Sequence, residues 1–591
     1  MNEFKLRNQK SDIFGRSMIL NLIGILLNLI GVFLAVWGFH ESAGDNSTIL
    51  KILGISLVVI TLGALIILKG FFLYSYVSRV LVGGLFIVSG VIKANDPMGF
   101  AFKLEEYFAE DALSYDYPFF AGFADYAVHL SIIICIAEMV LGVAVILGGK
   151  IKLASWSLVI MMVFFTWLTA YTTNCNDAQL AAMESGTEFH QACVTDCGCF
   201  GDALRGSVGR SLTPYESLWK DLVLFYFVLV IFFNQWKTQM NTVVENWFMV
   251  PGVTIVLGFF SWVFGWSFPL VFGLLLILGS FVIGNLNIGK IGKPWKMAIF
   301  VSFICFLLSL YTTLYLPFKD YRPYAVGNNI REQMNKGVPQ ISDWILIYKE
   351  LSTGKEVEFK LDDWETYGDT TKYEFVDRKE TVIQAGVDAP IKDFNASIAY
   401  DDLTEEERKI PYIDSLINAE IWNFYEEYMV ATSEWGSDTI SVLEYDPEYY
   451  PDSIYTIGPK ATRLIDQNNS FKLDLTNYIL YQEFIFMMTV RKIDEADEDH
   501  VADLKKVVDG AKEKGIPFVV LTPASDEEIS AFKSKHQFNA MFLTFDATEI
   551  KIIIRSNPGL LLLNKATVLD MWPCRSVEDF EDIYSEHIAE P

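Results

Sequence analysis

Four of the seven cysteines in this 591-residue chain crowd into one polar stretch, residues 173–217. Cys175 is followed, after a spacer of 17 residues, by Cys193, Cys197 and Cys199 within the run C-V-T-D-C-G-C-F-G-D. Cysteines at such spacing can form structural disulfides, exchange disulfides with other thiols, or bind a metal ion. All four are therefore candidate functional residues.

The pairing of these cysteines is open in the sequence, because four cysteines allow three connectivities. Two structural disulfides would simply cross-link the stretch. A Cys197–Cys199 bridge would instead close a tight C-x-C ring, and strained disulfides are the reactive ones, whereas a Cys193–Cys197 bridge would be more relaxed. Zinc is the least favoured alternative, although His190 is near, because Cys175 stands alone and zinc motifs usually have two separated knuckles. We predict no metal site.

The elements that must position these sulfurs lie in two halves of opposite character. Residues 1–317 hold 18 Lys and Arg against 20 Asp and Glu, whereas the remaining residues hold 28 against 53. With 52% hydrophobic residues, the chain is too apolar for a fully soluble enzyme or a disordered protein. The acidic second half would repel phosphates, which argues against nucleic-acid binding.

Nine apolar runs in the first half are long enough to cross a bilayer, which takes about 20 helical residues. They lie near 17–39, 49–68, 74–94, 126–148, 152–172, 218–235, 248–266, 269–289 and 296–317. Lys and Arg concentrate in the N-terminal tail and in alternate loops, one of which is assigned Lys69 and Arg79. This pattern places the N-terminus in the cytoplasm. We therefore expect a polytopic α-helical protein of the bacterial inner membrane, with the cysteine stretch and everything after residue 317 in the periplasm.

One acidic residue, Glu138, falls near the middle of the fourth run, where an ionisable side chain is costly and is a functional candidate. Cys135 lies three residues earlier, on the same helix face. Glu138 is either a proton acceptor or relay below a thiol or quinone site, or a neutral acid that is hydrogen-bonded to a neighbouring helix. Cys135 and Cys305 are otherwise expected to be small buried hydrophobic residues.

Polar residues at the outer end of the third run, Lys93, Asn95 and Asp96, could bind the polar head group of a cofactor, or simply mark the interface. The following segment, 99–111, is predicted to be an amphipathic helix on the outer membrane surface that could cover the cysteines.

The cysteine stretch ends in a helix-start signal. Thr213 is a predicted N-cap, with Pro214 at the first helical position and Glu216 at the third. The positive end of the helix dipole would favour a thiolate nearby.

The string C-G-C-F-G-D, followed by L-T-P-Y-E-S-L-W-K-D, resembles the DoxX/MauE group of small membrane proteins, and so does the segment S-G-V-I-K-A-N-D-P-M-G-F-A-F-K-L-E-E-Y-F at 89–108. The resemblance implies a four-helix core over residues 74–235, with further membrane helices in 1–73 and 236–317. MauE-like members are implicated in forming or maintaining disulfides in extracytoplasmic redox proteins. The group is also similar in structure to quinone-linked oxidases of the DsbB and vitamin K epoxide reductase type, which implies a quinone as cofactor.

The acidic half is predicted to contain two domains. Residues 318–470, with short strands and a helix near 412–430, predict an α+β connector. Residues 471–591 alternate strands and helices in an order similar to the thioredoxin fold, with Pro558 where that fold keeps its cis-proline. Where a C-x-x-C would follow the first strand, predicted at 479–490, the sequence reads V-R-K-I-D-E, and Cys574 is alone. We therefore expect a binding domain that does not exchange disulfides.

Two functions are compatible with these patterns. In the first, the protein is a thiol–disulfide oxidoreductase or electron-transfer protein of the membrane, in which Cys175, Cys193, Cys197 and Cys199 pass electrons toward a quinone and Glu138 handles protons. In the second, it is a non-enzymatic scaffold whose cysteines are structural. Its thioredoxin-like domain then docks an envelope partner or client protein through the acidic half.

Overall fold

The computed structural model describes residues 17–40, 51, 53–62, 71–185, 187–195, 198, 200–287, 289–339, 341–384, 386, 388–423, 425–433, 436–442, 445–446, 449–451, 454–464 and 471–589. The chain divides into two compact units, Met1–Arg322 and Pro323–Pro591, each with its own hydrophobic core.

The regular secondary structure described in the first unit is all helical, because its apolar runs can satisfy their backbone groups in a bilayer only within helices. Its main helices are α1 (Ser17–His40), α2 (Leu53–Leu62), α3 (Phe71–Asn95), α4 (Pro97–Phe108), α5 (Ala127–Leu147), α6 (Ile151–Ser185), α7 (Pro214–Asn234), α8 (Val243–Val263), α9 (Phe268–Asn285) and α10 (Lys293–Leu314). Short helical segments lie at Leu113–Asp116, Pro118–Tyr126 and Asp202–Val208.

Six of the described helices are long and apolar enough to cross a membrane: Leu73–Asn95, Pro118–Leu147, Ile151–Met183, Val243–Val263, Phe268–Asn285 and Lys293–Leu314. The first unit is therefore a polytopic membrane region. The predicted break near residue 266 is confirmed, since α8 ends at Val263 and α9 begins at Phe268. The count of nine crossings stays a prediction.

Helices α3 and α5 form the centre of this unit because glycines let their backbones approach closely. A Cβ atom added to Gly90 would stand 2.6 Å from Met139 Cγ and 3.1 Å from the carbonyl oxygen of Cys135. Gly83 is equally close to Ile146. This packing places the last turn of α3 directly against the middle of α5.

Arg79, which the charge pattern assigns to a cytoplasmic loop, lies within α3 and is buried. Its guanidinium donates to the carbonyl oxygens of Val145 and Ile146 at 2.8 and 2.9 Å and to Asn241 Oδ1 at 2.6 Å. These bonds satisfy carbonyls that the last turn of α5 leaves without helical partners. The sequence pattern was therefore wrong about Arg79, which closes the end of a helix.

The predicted amphipathic helix is α4, which starts earlier than expected because the Asp96 side chain caps it by accepting from Gly99 N at 2.9 Å. Its apolar residues do not lie free on the membrane surface as predicted. Phe100, Leu104, Tyr107 and Phe108 are instead buried in a cluster with Phe120, Ala127, Leu168 and Val194.

The second unit contains three sheets. A three-stranded antiparallel sheet has the order β2 (Glu356–Lys360), β1 (Ile341–Glu350), β3 (Tyr373–Gln384). In the second sheet, β5 (Tyr425–Ser433) pairs with β6 (Gly436–Ser441), β7 (Thr456–Ile457) and β8 (Ala461–Leu464). The third has seven strands in the order β14 (Thr567–Pro573), β13 (Gly559–Asn564), β10 (Ile485–Thr489), β11 (Phe518–Thr522), β12 (Met541–Thr544), β4 (Ser397–Ala399), β9 (Lys472–Asp474).

Strands β10, β11 and β12 are parallel, because helices connect them, whereas β13 and β14 form an antiparallel hairpin beside β10. The helices of this unit are α11 (Pro411–Asn423), α12 (Thr476–Tyr481), α13 (Glu498–Glu513), α14 (Asp526–His536), α15 (Ala547–Ile553) and α16 (Phe580–His587), with short segments at Ile330–Asn335 and Trp364–Tyr367. The Asn557–Pro558 peptide bond is cis.

Three sequence predictions about this unit need correction. The apolar run 479–490 is not one strand, since α12 ends at Tyr481 and β10 starts at Ile485. The predicted helix near 412–430 ends at Asn423, and β5 follows it. Strand β4 belongs to the large sheet, so that sheet extends across the predicted boundary at residue 470.

Candidate functional site

The first two loop cysteines form a disulfide. Cys175 and Cys193 are bonded, with their Cα atoms 5.7 Å apart. Cys175 does not lie in a loop as predicted, because α6 continues through it to Ser185. Asn176 donates to the carbonyl oxygen of Val194 at 2.9 Å, so the returning chain is held to α6 by a covalent and a hydrogen bond. The remaining loop cysteines, Cys197 and Cys199, lie outside the described residues.

Gly198, between those two cysteines, is described and is buried. Its φ of +60° is one that side-chain-bearing residues rarely adopt, and a Cβ atom there would stand 2.6 Å from Lys103 Cγ. Gly198 therefore packs on the aliphatic stem of Lys103 from α4, whose ammonium pairs with Glu106 at 2.6 Å. This contact brings the amphipathic helix against Gly198.

The predicted helix start after the cysteine stretch is confirmed. Thr213 and Glu216 form a capping box with Pro214 in the first turn of α7. Arg210 binds both carboxylate oxygens of Glu216, at 2.7 and 2.8 Å. The end of the cysteine loop is thus fixed to α7 by a cap and a bidentate ion pair.

Glu138 is paired, not isolated. Lys93 Nζ lies 2.5 Å from Glu138 Oε1, and only 4% and 5% of the two side chains is exposed. The Lys93 ammonium also lies 4.9 Å from the centre of the Phe100 ring and 5.5 Å from that of Phe165. The second carboxylate oxygen of Glu138 is buried without a hydrogen-bond partner among the described residues.

A second ion pair lies beside the first. Lys220 Nζ is 3.1 Å from Asp221 Oδ1, and Thr169 of α6 donates to Asp221 Oδ2 at 3.2 Å. Both pairs line one cavity of about 40 Å³, together with Ser89, Phe100, Phe165 and Phe200. A cavity needs about 10–15 Å³ to hold a water molecule, so this one has room for water among four charged side chains. We call Lys93, Glu138, Lys220 and Asp221 the charge cluster.

Phe200 connects the cysteine loop to the charge cluster. It directly follows Cys199 in the sequence, it lines the 40 Å³ cavity, and its ring centre lies 5.5 Å from Lys220 Nζ. The Phe200 ring also packs against Phe264, with 5.5 Å between the ring centres. One wall of the polar cavity is therefore supplied by the residue next to a candidate redox cysteine.

The three residues predicted to bind a cofactor do not share one site in the structure. Lys93 belongs to the charge cluster. Asn95 instead bridges the backbone of Lys319, donating to its carbonyl oxygen at 2.8 Å and accepting from its amide at 3.1 Å. Asp96 caps α4, and neither residue lines the 40 Å³ cavity.

The sequence patterns did not predict that Lys220, Asp221 or Phe200 contributes to this site. A signal for the first two was present, because both charges fall inside the apolar run 218–235, where ionisable residues are functional candidates. Phe200 carried no such signal, since an aromatic residue after a C-G-C turn has no distinctive chemistry of its own.

In the second unit, the run that replaces a C-x-x-C motif is held by Asn557. The Asn557 side chain accepts from Arg491 N at 2.8 Å and donates to the carbonyl oxygen of Lys492 at 2.8 Å. Cys574 is buried nearby, and Ser556 Oγ donates to its sulfur at 3.4 Å. Burial raises the pKa of the Cys574 thiol.

The described residues contain no group of three or more His, Cys, Asp or Glu side chains placed to hold a metal ion. His190, the nearest histidine to the loop cysteines, is exposed and lies 3.6 Å from Glu188.

Comparison with known proteins gives one match. Residues 71–177 match the family model of the methylamine utilisation protein MauE. No curated protein and no solved structure matches the chain. The match covers α3 to α5 and most of α6, including Lys93, Glu138 and Cys175, but it stops before the C-G-C turn. This part of the chain is therefore similar to a MauE-type membrane protein.

Proposed function

We propose that this protein exchanges thiols and disulfides on the extracytoplasmic side of the bacterial inner membrane and passes the electrons to a quinone. The N-terminus would lie in the cytoplasm and the second unit in the periplasm. Family similarity supports a redox role for residues 71–177, and the C-G-C turn supplies thiols outside that match.

The observation that carries this proposal is the position of Phe200. Phe200 follows Cys199 in the sequence and lines the cavity of the charge cluster, which holds two lysines and two acids. Thiol oxidation releases protons as well as electrons, so a site that oxidises thiols within a membrane needs groups that can take up protons. The charge cluster supplies such groups beside the residue that follows the C-G-C string.

The Cys175–Cys193 disulfide has a structural role in this proposal. It joins α6 to the loop and leaves Cys197 and Cys199 as the exchanging pair. A disulfide between these two would accept two electrons from a client dithiol and break its S–S bond, while a disulfide forms in the client. Two electrons and two protons then go from the reduced pair to the quinone, giving a quinol, and the Cys197–Cys199 bond forms again.

Thiol trapping of the intact protein tests the proposal. Membranes are treated with an alkylating reagent before and after mild reduction, and each cysteine is assigned by mass spectrometry. We expect Cys197 and Cys199 to change from disulfide to thiol with mild reduction, whereas Cys175 and Cys193 stay bonded.

The variant C197S/C199S should lose oxidation of a reduced client dithiol, whereas C574S, the matched control outside the loop, should retain it. The proposal fails if all four loop cysteines stay oxidised, or if C197S/C199S oxidises client thiols at the normal rate.

A second candidate function is docking of an envelope partner or client by the second unit. Its order of strands β10 to β14 supports a thioredoxin-like domain, and Asn557 holds the run that lacks a C-x-x-C motif. Because the large sheet includes β4, the deletion that tests docking begins at Pro323. A partner should co-purify with the full chain and be lost from the chain that ends at Arg322. Purification of the full chain without any partner would contradict docking.

A further inference from the structure

A larger cavity adjoins the charge cluster. It has a volume of about 560 Å³ and lies among α1, α3, α7 and α8. Its walls are nearly all apolar. The four helices contribute, in order, Leu29, Leu81, Val223 and Val256 among other lining residues. Pockets for small organic ligands have volumes of about 300–1,000 Å³ and combine apolar walls with a few polar groups, so this cavity has the size and lining of a ligand site.

The polar groups of this cavity are at one end. Only Glu216 and Lys220 among its lining residues are charged, and Arg210 already holds Glu216 through two hydrogen bonds. Lys220 lines both this cavity and the smaller polar one, as do Leu85 and Leu224. A molecule with its tail in the large cavity would therefore meet the Lys220 ammonium first, with the rest of the charge cluster directly behind it.

The charges decide what kind of head group fits. The cluster contains two lysines and two acids, each lysine paired with an acid at 2.5 or 3.1 Å, so its formal charge is zero. An anionic lipid head would face the two carboxylates without a net positive charge to compensate it. An uncharged head that accepts hydrogen bonds matches the cluster better, because lysine can donate without losing its acidic partner.

We propose that the 560 Å³ cavity binds a lipid-soluble quinone, with a carbonyl oxygen at Lys220 and the apolar tail along α1 and α8. This inference rests on the proposed function and gives it a site other than the predicted one at Lys93, Asn95 and Asp96. When the quinone takes two electrons from the Cys197 and Cys199 thiols, its two oxygens take up two protons. The two thiols release the same number of protons, so the protons balance. The charge cluster is the route by which they pass from the thiols to the quinone.

Binding can be measured without turnover. The full chain is reconstituted in phosphatidylcholine nanodiscs and titrated by calorimetry with a ubiquinone that carries one isoprene unit. We expect one quinone per chain. Val223→Trp, which fills the cavity, should weaken binding at least tenfold. Leu222→Trp is the matched control, because Leu222 precedes Val223 on α7 but does not line the cavity and is 38% exposed.

A second variant tests the head-group contact. The double change Lys220→Met and Asp221→Asn removes an ion pair while keeping the charge of the cluster at zero, and it should also weaken binding at least tenfold. The inference is overturned if Val223→Trp and Leu222→Trp bind quinone alike, or if mass spectrometry finds only phospholipid in the cavity and quinone does not displace it.

The variant C197S/C199S separates this inference from the proposed function. If it binds quinone normally while the wild-type chain oxidises no thiols, the quinone site stands and the proposed function fails. If Val223→Trp oxidises thiols at the wild-type rate with quinone as acceptor, the proposed function stands and this site is wrong.

Discussion

The ring of Phe200 lies 5.5 Å from the ammonium of Lys220, so the residue that follows Cys199 contacts the Lys220–Asp221 ion pair. Lys220 is six residues into α7, about 9 Å along the helix axis from Pro214. The contact therefore joins Phe200 to charges about one and a half helical turns beyond the start of α7.

Phe200→Ala should slow thiol oxidation by the C-G-C pair about tenfold, which corresponds to about 1.4 kcal/mol in the activation free energy. Removal of the ring opens the cavity wall and admits water between the loop and the charge cluster. Phe200→Leu, which keeps an apolar wall, should retain most of the rate. Stopped-flow oxidation of a dithiol peptide measures both variants, and Phe259→Ala, at an exposed ring of α8, is the control. Equal rates for Phe200→Ala and the control would show that the contact has no functional role.

The Lys93–Glu138 pair should behave as a buried ion pair in a double-mutant cycle. Either Lys93→Met or Glu138→Gln alone leaves an uncompensated buried charge, which costs about 3–5 kcal/mol of stability. The double variant should recover most of this loss, because neither charge then remains. Denaturant unfolding of the full chain in detergent measures the cycle.

The matched control for that cycle is the exposed pair Lys492–Glu495, with 55% and 46% of its side chains exposed. Lys492→Met should change stability by less than about 1 kcal/mol, because surface pairs are weak. If Lys93→Met and Glu138→Gln each lower the free energy of unfolding by less than about 1 kcal/mol, the pair is either hydrated or not formed in the membrane.

Much of the helical unit is predictable from sequence, because a bilayer demands long apolar helices and Pro269 and the Thr213 capping box mark their ends. The pairing of Lys93 with Glu138 is not predictable in this way. It depends on Gly90 bringing α3 against α5, and close approach of two helices leaves no periodic signal in either one. Arg79 shows the same limit, since a charge in an apolar run can close a neighbouring helix instead of marking a loop.

In the second unit, helices α13 and α14 with strand β11 between them follow the predicted alternation of strands and helices, because apolar periodicity and turn residues are local signals. The place of β4 in the large sheet could not be predicted. Only three residues long, it pairs with β9 about 75 residues later in the chain, and such pairing depends on tertiary contacts.

The Cys175–Cys193 disulfide should keep the end of α6 attached to the returning loop. Cys193→Ser should make residues 187–195 of the purified protein sensitive to added protease. Closing a loop of this length stabilises a folded chain by about 3 kcal/mol in the loop-entropy description. Limited proteolysis with mass mapping measures the change, and Cys197→Ser is the matched control, since that change should leave the 175–193 bond in place. Free Cys175 in the Cys197→Ser protein would contradict this pairing.

Cys574 should react slowly with alkylating reagents in the native chain, although it stands near the cis Asn557–Pro558 bond. Burial raises its pKa above the ordinary thiol value of about 9, so at pH 8 less of it is thiolate than of an exposed thiol. Only the thiolate reacts, so the rate of Cys574 should still be rising at pH values where the rate of an exposed thiol levels off. Ser556→Ala should slow the reaction of Cys574 further, because the Ser556 hydroxyl donates to the sulfur and lowers its pKa.

Reaction rates between pH 7 and 10, followed by mass spectrometry on the full chain, test this prediction. Urea-unfolded protein is the exposed-thiol control. If native and unfolded chains react alike at pH 8, Cys574 is an accessible thiol, and the second unit could then take part in disulfide exchange.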